Sequence, residues 1–121
     1  MVRRWRWVFW AAVVVQFVVL YAPATVGGGV EFPFADKAVH LLIYATTVWA
    51  GRKAGFPLGV LVAVFAAHSV LSEIVQDTII PDRAGDVRDV LADLAGVALG
   101  ALVPIARVRG RDRLASDDQA P

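Results

Sequence analysis

Four apolar segments, each near the length that crosses a bilayer, take up most of this chain. A spanning helix needs about 20 mainly apolar residues. Trp7 to Ala22 is interrupted only by Gln16 and is stopped by Pro23. Ala38 to Ala50 is interrupted by His40 and two threonines. Phe56 to Ile80 stays apolar until a polar set near its end, and Val87 to Ala106 becomes apolar after its first turns. Hydrophobic residues make up 58% of the sequence, against roughly 45–50% in soluble domains even when Gly is counted. The pattern predicts an all-α fold: an integral-membrane four-helix bundle with helices at 7–22, 35–51, 57–76 and 87–106. Residues 1–106 then form one domain, and 107–121, rich in Arg, Asp, Ser and Gln, form a disordered tail.

The second helix reaches spanning length only if it starts near Ala35. Asp36 and Lys37 would then sit at the interface or in a wet cavity, because charges facing lipid are costly. Pro57 suits the first turn of the third helix, where its missing N–H is harmless. Pro104 predicts a kink or an early end in the fourth. The first segment has a second reading: Arg3, Arg4 and Arg6 before an apolar stretch, with Ala22-Pro23-Ala24 after it, resemble a secretory leader. Its long core, its Trp at the start and the membrane-like remainder of the chain favour a retained helix.

The absence of cysteine removes disulfides, thiolate zinc sites, thiol nucleophiles and iron–sulfur clusters. The chain is too apolar for intrinsic disorder. Its eleven acidic residues give no basic surface for nucleic acid. No cofactor is called for. His40, Glu73 and Asp89 suit a metal by ligand type but lack a diagnostic spacing, so no metal is expected.

Lys and Arg favour the cytoplasmic side of membrane spans. Nine of the twelve precede the first helix, join the second to the third or follow the fourth, which places both termini in the cytoplasm. Lys37, Arg83 and Arg88 remain outside, with eight of the eleven acidic residues. The formal net charge of +1 is therefore a cancellation between a basic inner side and an acidic outer side.

The outer helix ends hold the polar residues that are too costly to be accidental. Asp36 and His40 are four apart and share a helix face, which Tyr44 extends. Ser69, Glu73 and Gln76 share a face near the end of the third helix. Asp89, Asp93, Gly96 and Gly100 form one narrow stripe on the fourth at about 100° per residue. The Gly-xxx-Gly part lets a neighbouring helix approach closely. The same face carries Asp89 and Asp93, so both face protein. Bland roles compete. Asp36 would favour a helix dipole, Asp86 is an N-cap candidate, His40 would donate a hydrogen bond within the bundle, and His68, deeper in, is structural or pore-facing. Glu73 needs a partner or a proton, and Arg83 is the expected cation for Glu73, Asp89 or both. A purely structural ion-pair network stays open.

The ordered set Asp36-Lys37-x-x-His40-x-x-x-Tyr44, Glu73-x-x-Gln76, Arg83-x-x-Asp86-x-x-Asp89 and Gly96-x-x-x-Gly100 resembles the VanZ-like family, small bacterial membrane proteins named for a teicoplanin-resistance protein. The resemblance covers roughly residues 34–102. It implies a multi-pass protein of the bacterial plasma membrane linked to the cell envelope, with low-level glycopeptide resistance in some members. The positions it carries over are Asp36, His40, Glu73, Gln76, Arg83, Asp89, Gly96 and Gly100. This chain has Asp93 where the family often has Asn, and Asp82 where it often has Gly.

Three functions follow as expectations. The first is a binding or handling protein for a cell-wall precursor, a lipid-linked sugar or a glycopeptide. Its outward site would comprise Asp36, His40, Glu73, Gln76, Arg83, Asp86, Asp89 and Asp93, with Arg83 on a phosphate or carboxylate. The second is a membrane hydrolase for a lipid phosphate, with His40 as acid or base oriented by Asp36. The third is a proton-linked transporter subunit using Glu73, Asp93 and His68, which would require a homo-oligomer.

Overall fold

The computed structural model describes residues 1–22, 34–81 and 84–106. Four helices are found, with no strand among the described residues: α1 (Val2–Tyr21), α2 (Ala35–Lys53), α3 (Leu58–Thr78) and α4 (Val87–Leu102). Pro23 and Ala24 of the leader-like Ala22-Pro23-Ala24 stretch, Arg83 with its neighbour Asp82, and the tail 107–121 lie outside the described residues.

Local chemistry sets the ends. α1 starts at Val2 rather than Trp7, because Arg3, Arg4 and Arg6 are good helix formers and nothing breaks the first turn. α2 runs to Lys53 and stops at Gly55, whose φ of 84° is the left-handed conformation glycine adopts without cost. The Phe56 N–H reaches the Gly51 carbonyl at 3.1 Å and the Gly55 N–H reaches that of Arg52 at 3.1 Å, a paired closure that satisfies two terminal carbonyls. Pro57 is the N-cap of α3 rather than a residue of its first turn.

The fourth helix ends at Leu102, four residues short of the expected Ala106. Pro104 explains this twice. Its ring drives Val103 into an extended conformation (φ −58°, ψ 126°). It also has no N–H for the Gly100 carbonyl. Arg52 supplies the missing donor: its Nη1 lies 2.9 Å from Gly100 O and 2.7 Å from Val103 O.

Contacts between helix ends fix their directions. Lys53 at the end of α2 sits over the ring of Trp5 at the start of α1, 4.4 Å from its centroid. Gln76 near the end of α3 donates to the Leu20 carbonyl near the end of α1 at 2.7 Å. The helices therefore alternate, with α1 parallel to α3 and α2 parallel to α4. One end of the bundle carries Arg3, Arg4, Arg6, Arg52 and Lys53 and, among the described residues, no carboxylate. The other carries Asp36, Glu73, Asp77, Asp86, Asp89 and Asp93 with Lys37 and Arg88.

The tightest packing joins α2 to α4. A Cβ on Gly96 would lie 2.9 Å from Tyr44 Cβ and nearer still to the Leu41 carbonyl oxygen. On Gly100 it would lie 2.5 Å from the Ala45 carbonyl oxygen. Backbone thus rests on backbone over a full helical turn, which only glycine permits. Phe9, Tyr44, Val48, Leu61, Phe65 and Val97 fill the interior.

The outer faces of α1 and α3 are apolar: Trp7, Val14 and Val18 on α1 and Val60, Leu71 and Ile74 on α3 are exposed. α1 and α3 are each long and apolar enough to cross a bilayer. α2 carries charges in its first and last turns, and α4, at 16 residues, is about 24 Å long.

Candidate functional site

The acidic end of the bundle brings α2, α3 and α4 together. α4 begins there with Asp86 as its N-cap, accepting the Arg88 N–H at 2.9 Å, which satisfies one of the free donors of a helix start. The bland role expected for Asp86 is therefore real. It also has a second role, because its other oxygen accepts from Lys37 Nζ at 3.0 Å. The Arg88 backbone N–H and then the Lys37 ammonium hold the Asp86 carboxyl below the usual carboxylate range.

Lys37 is the hub of this end. Its ammonium bonds Asp36 at 3.1 Å, Asp86 at 3.0 Å and Asp89. Arg83, the expected cation for Glu73, Asp89 or both, lies outside the described residues; among those described, Lys37 is the cation on Asp89. From sequence Lys37 is placed at the interface or in a wet cavity, with no partner assigned. The available signal was its position as the first-turn cation of α2, at the same end as Asp86-x-x-Asp89.

Beneath Lys37 lies a buried pair. His40 Nδ1 donates to Asp93 Oδ1 at 2.7 Å, and both residues are buried. His40 Nε2 faces Asp89 Oδ2 at 3.9 Å. This corrects the expected Asp36–His40 pairing. Asp36, one helical turn before His40, is 64% exposed and turns to Lys37 instead. Asp93 orients the imidazole because the α2–α4 glycine contact draws the two helices together one turn below.

Glu73 meets α4 from α3. Its Oε1 accepts the Asp86 N–H, and Asp77, one turn later, accepts the Gly85 N–H at 2.9 Å. The two carboxylates anchor the start of α4 to the end of α3. Glu73 Oε2 and Asp93 Oδ2 are buried and have no hydrogen-bond partner among the described residues. Glu73 lies within electrostatic reach of His40, Asp89 and Asp93.

The remaining site candidates separate from this group. Gln76 faces away, closing the end of α1 through the Leu20 carbonyl. Gly96 and Gly100 act in helix packing, as expected. His68 belongs to a different network in mid-bundle. Gln16 Nε2 lies 3.2 Å from its Nδ1, which makes that nitrogen the acceptor. Its Nε2 is 2.9 Å from Tyr21 Oη, its Nδ1 is 3.1 Å from Tyr44 Oη, and its ring stacks on Phe17. Three helices thus share one imidazole. The described residues contain no group of three or more His, Asp or Glu side chains arranged to hold a metal ion.

The described part of the site is thus Lys37 over Asp36, Asp86 and Asp89, with His40, Asp93 and Glu73 below. It can accept hydrogen bonds and cationic or N–H-bearing groups. No protein family, curated protein or solved structure matches this chain.

Proposed function

We propose that the chain is a VanZ-like membrane protein of the bacterial cell envelope. It crosses the plasma membrane four times, with both termini cytoplasmic, and its acidic outer end binds or handles a cell-wall or lipid-linked ligand. The membrane reading is supported by the exposed apolar faces of α1 and α3 and by the separation of basic from acidic helix ends. Basic ends belong on the cytoplasmic side, so the acidic site faces outward.

The observation that carries the ligand reading is the pair of buried carboxylate oxygens, Glu73 Oε2 and Asp93 Oδ2, that have no partner among the described residues. A buried acceptor without a donor is costly. Sugar hydroxyls and peptide amides carry donors for such acceptors, and cell-wall precursors and glycopeptides present both. Binding of a glycopeptide there would give low-level teicoplanin resistance.

The test is binding of a lipid-linked disaccharide-peptide precursor to the detergent-purified chain and to Asp93→Ala. Saturable binding that falls at least tenfold in the variant is expected. Equal binding by both proteins, with the variant folded, would remove the site from this end of the bundle.

The His40–Asp93 pair favours a second reading, a hydrolase acting on a lipid phosphate. A carboxylate on Nδ1 leaves Nε2 for proton transfer. Turnover of an undecaprenyl phosphate that is abolished in His40→Gln would support it.

A further inference from the structure

Between α1 and α3, toward the basic end, lies a cavity of about 390 Å³. Its walls run from Phe9 to Phe17 on α1 and from Val60 to His68 on α3, about 12 Å on each side by helical rise. His68, at the far end, is its one polar residue among those described. The cavity opens sideways, since Trp10 and Val60 on its rim are 54% and 56% exposed.

Its mouth at the basic end is cationic. Phe56 lines that end, and the Arg6 guanidinium lies 5.8 Å from the Phe56 ring centroid. Arg3 is one turn before Arg6, on the same face of α1. The ion pairs among the described residues are those of Lys37 and His40, at the opposite end. Among the described residues, no carboxylate pairs with either arginine. A hydrocarbon slot with a guanidinium at its mouth complements an anionic amphiphile in both parts. The slot removes chain methylenes from nothing more polar than lipid, so it supplies fit, while the planar fork of arginine selects the charged head.

We propose that this groove binds one acyl chain of an anionic phospholipid from the leaflet on the basic side, with Arg6 and Arg3 on its headgroup. The inference rests on the membrane reading above and is independent of the outer polar site.

The test uses the full chain with Trp10 as its one tryptophan (Trp5→Phe, Trp7→Phe, Trp49→Phe), reconstituted in phosphatidylcholine vesicles. Trp10 fluorescence is quenched by phosphatidylglycerol or by phosphatidylcholine carrying brominated acyl chains, at equal mole fraction. An association constant roughly fivefold higher for phosphatidylglycerol is expected, the gain of one basic residue at an anionic head. Arg6→Gln brings the ratio toward one, and Val64→Phe, which fills the groove, lowers quenching by both lipids. Native mass spectrometry of the unsubstituted chain reads the same preference without the Trp→Phe background. Equal quenching by the two lipids, or a preference unchanged in Arg6→Gln, would overturn the lipid site and leave the membrane reading standing. Quenching by neither lipid would overturn both.

Discussion

Replacing Gly96 with Ala adds one methyl group at the point where α2 and α4 touch. That carbon would sit 2.9 Å from Tyr44 Cβ, where carbon atoms rest at about 3.5–4.0 Å. It would sit closer still to the Leu41 carbonyl oxygen, which is backbone and cannot rotate away. Relief requires the two helices to part by roughly 0.6–1.1 Å, the difference between those carbon separations. The His40–Asp93 bond bridges the same helices at 2.7 Å. Stretched by that amount it passes the roughly 3.2 Å limit of a good hydrogen bond. Overpacking costs about 1–3 kcal/mol, and losing a buried charged hydrogen bond adds about 1–2 kcal/mol. Gly96→Ala is therefore expected to destabilise the protein by about 2–5 kcal/mol in reversible unfolding in detergent, the sum of those two losses. Gly59→Ala is the control. Its Cβ meets nothing within 4 Å, so it should be neutral or stabilising by up to about 1 kcal/mol through helix propensity. A Gly96→Ala protein as stable as the parent would refute the close-packed α2–α4 contact and the placement of Asp93 beside His40.

Other outcomes follow from the same geometry. Arg52→Ala removes the donor that stands in for Pro104 at the end of α4 and should cost about 1.5–3 kcal/mol in the same assay; no loss would show that water serves those carbonyls equally well. Lys37→Met leaves Asp89, buried, without its ammonium. It should cost about 2–4 kcal/mol, between the values for exposed and buried pairs, and adding Asp89→Leu should recover most of that in a double-mutant cycle. Asp86 has a folded pKa below its ordinary 3.8, so its stabilising contribution is complete above that value and is lost as pH falls through the folded value. Asp86→Asn should therefore flatten the acid limb of a melting-temperature profile below about pH 4; an unchanged limb would show that this carboxylate is not linked to folding.

Periodicity and length made the helices legible, because apolar runs and proline act within a single segment. Pro104 pointed to trouble at the end of α4, and Gly96 and Gly100 pointed to a close helix contact. The partner of each polar residue was less legible. Spacing says which residues share a face of one helix but not which neighbour that face meets. Asp36 and His40 are one turn apart, yet the first faces solvent and Lys37 while the second is drawn to Asp93. Glu73 and Gln76 share a face of α3 and still part, one to the start of α4 and the other to the end of α1. The His68 network was invisible for the same reason. Gln16, Tyr21 and Tyr44 come from two other helices, and nothing in their own segments marks them as its partners.

The proposed outward site depends on a four-span topology with the acidic end outside. The chain has no cysteine, so single cysteines report position without background. Thr78 and Ala106 are both exposed and lie at opposite ends of the bundle. In intact cells Thr78→Cys should react with a membrane-impermeant maleimide, and Ala106→Cys should react only after the membrane is opened. Labelling of Ala106→Cys in intact cells, or of Thr78→Cys only after permeabilisation, would contradict the topology and the outward site with it.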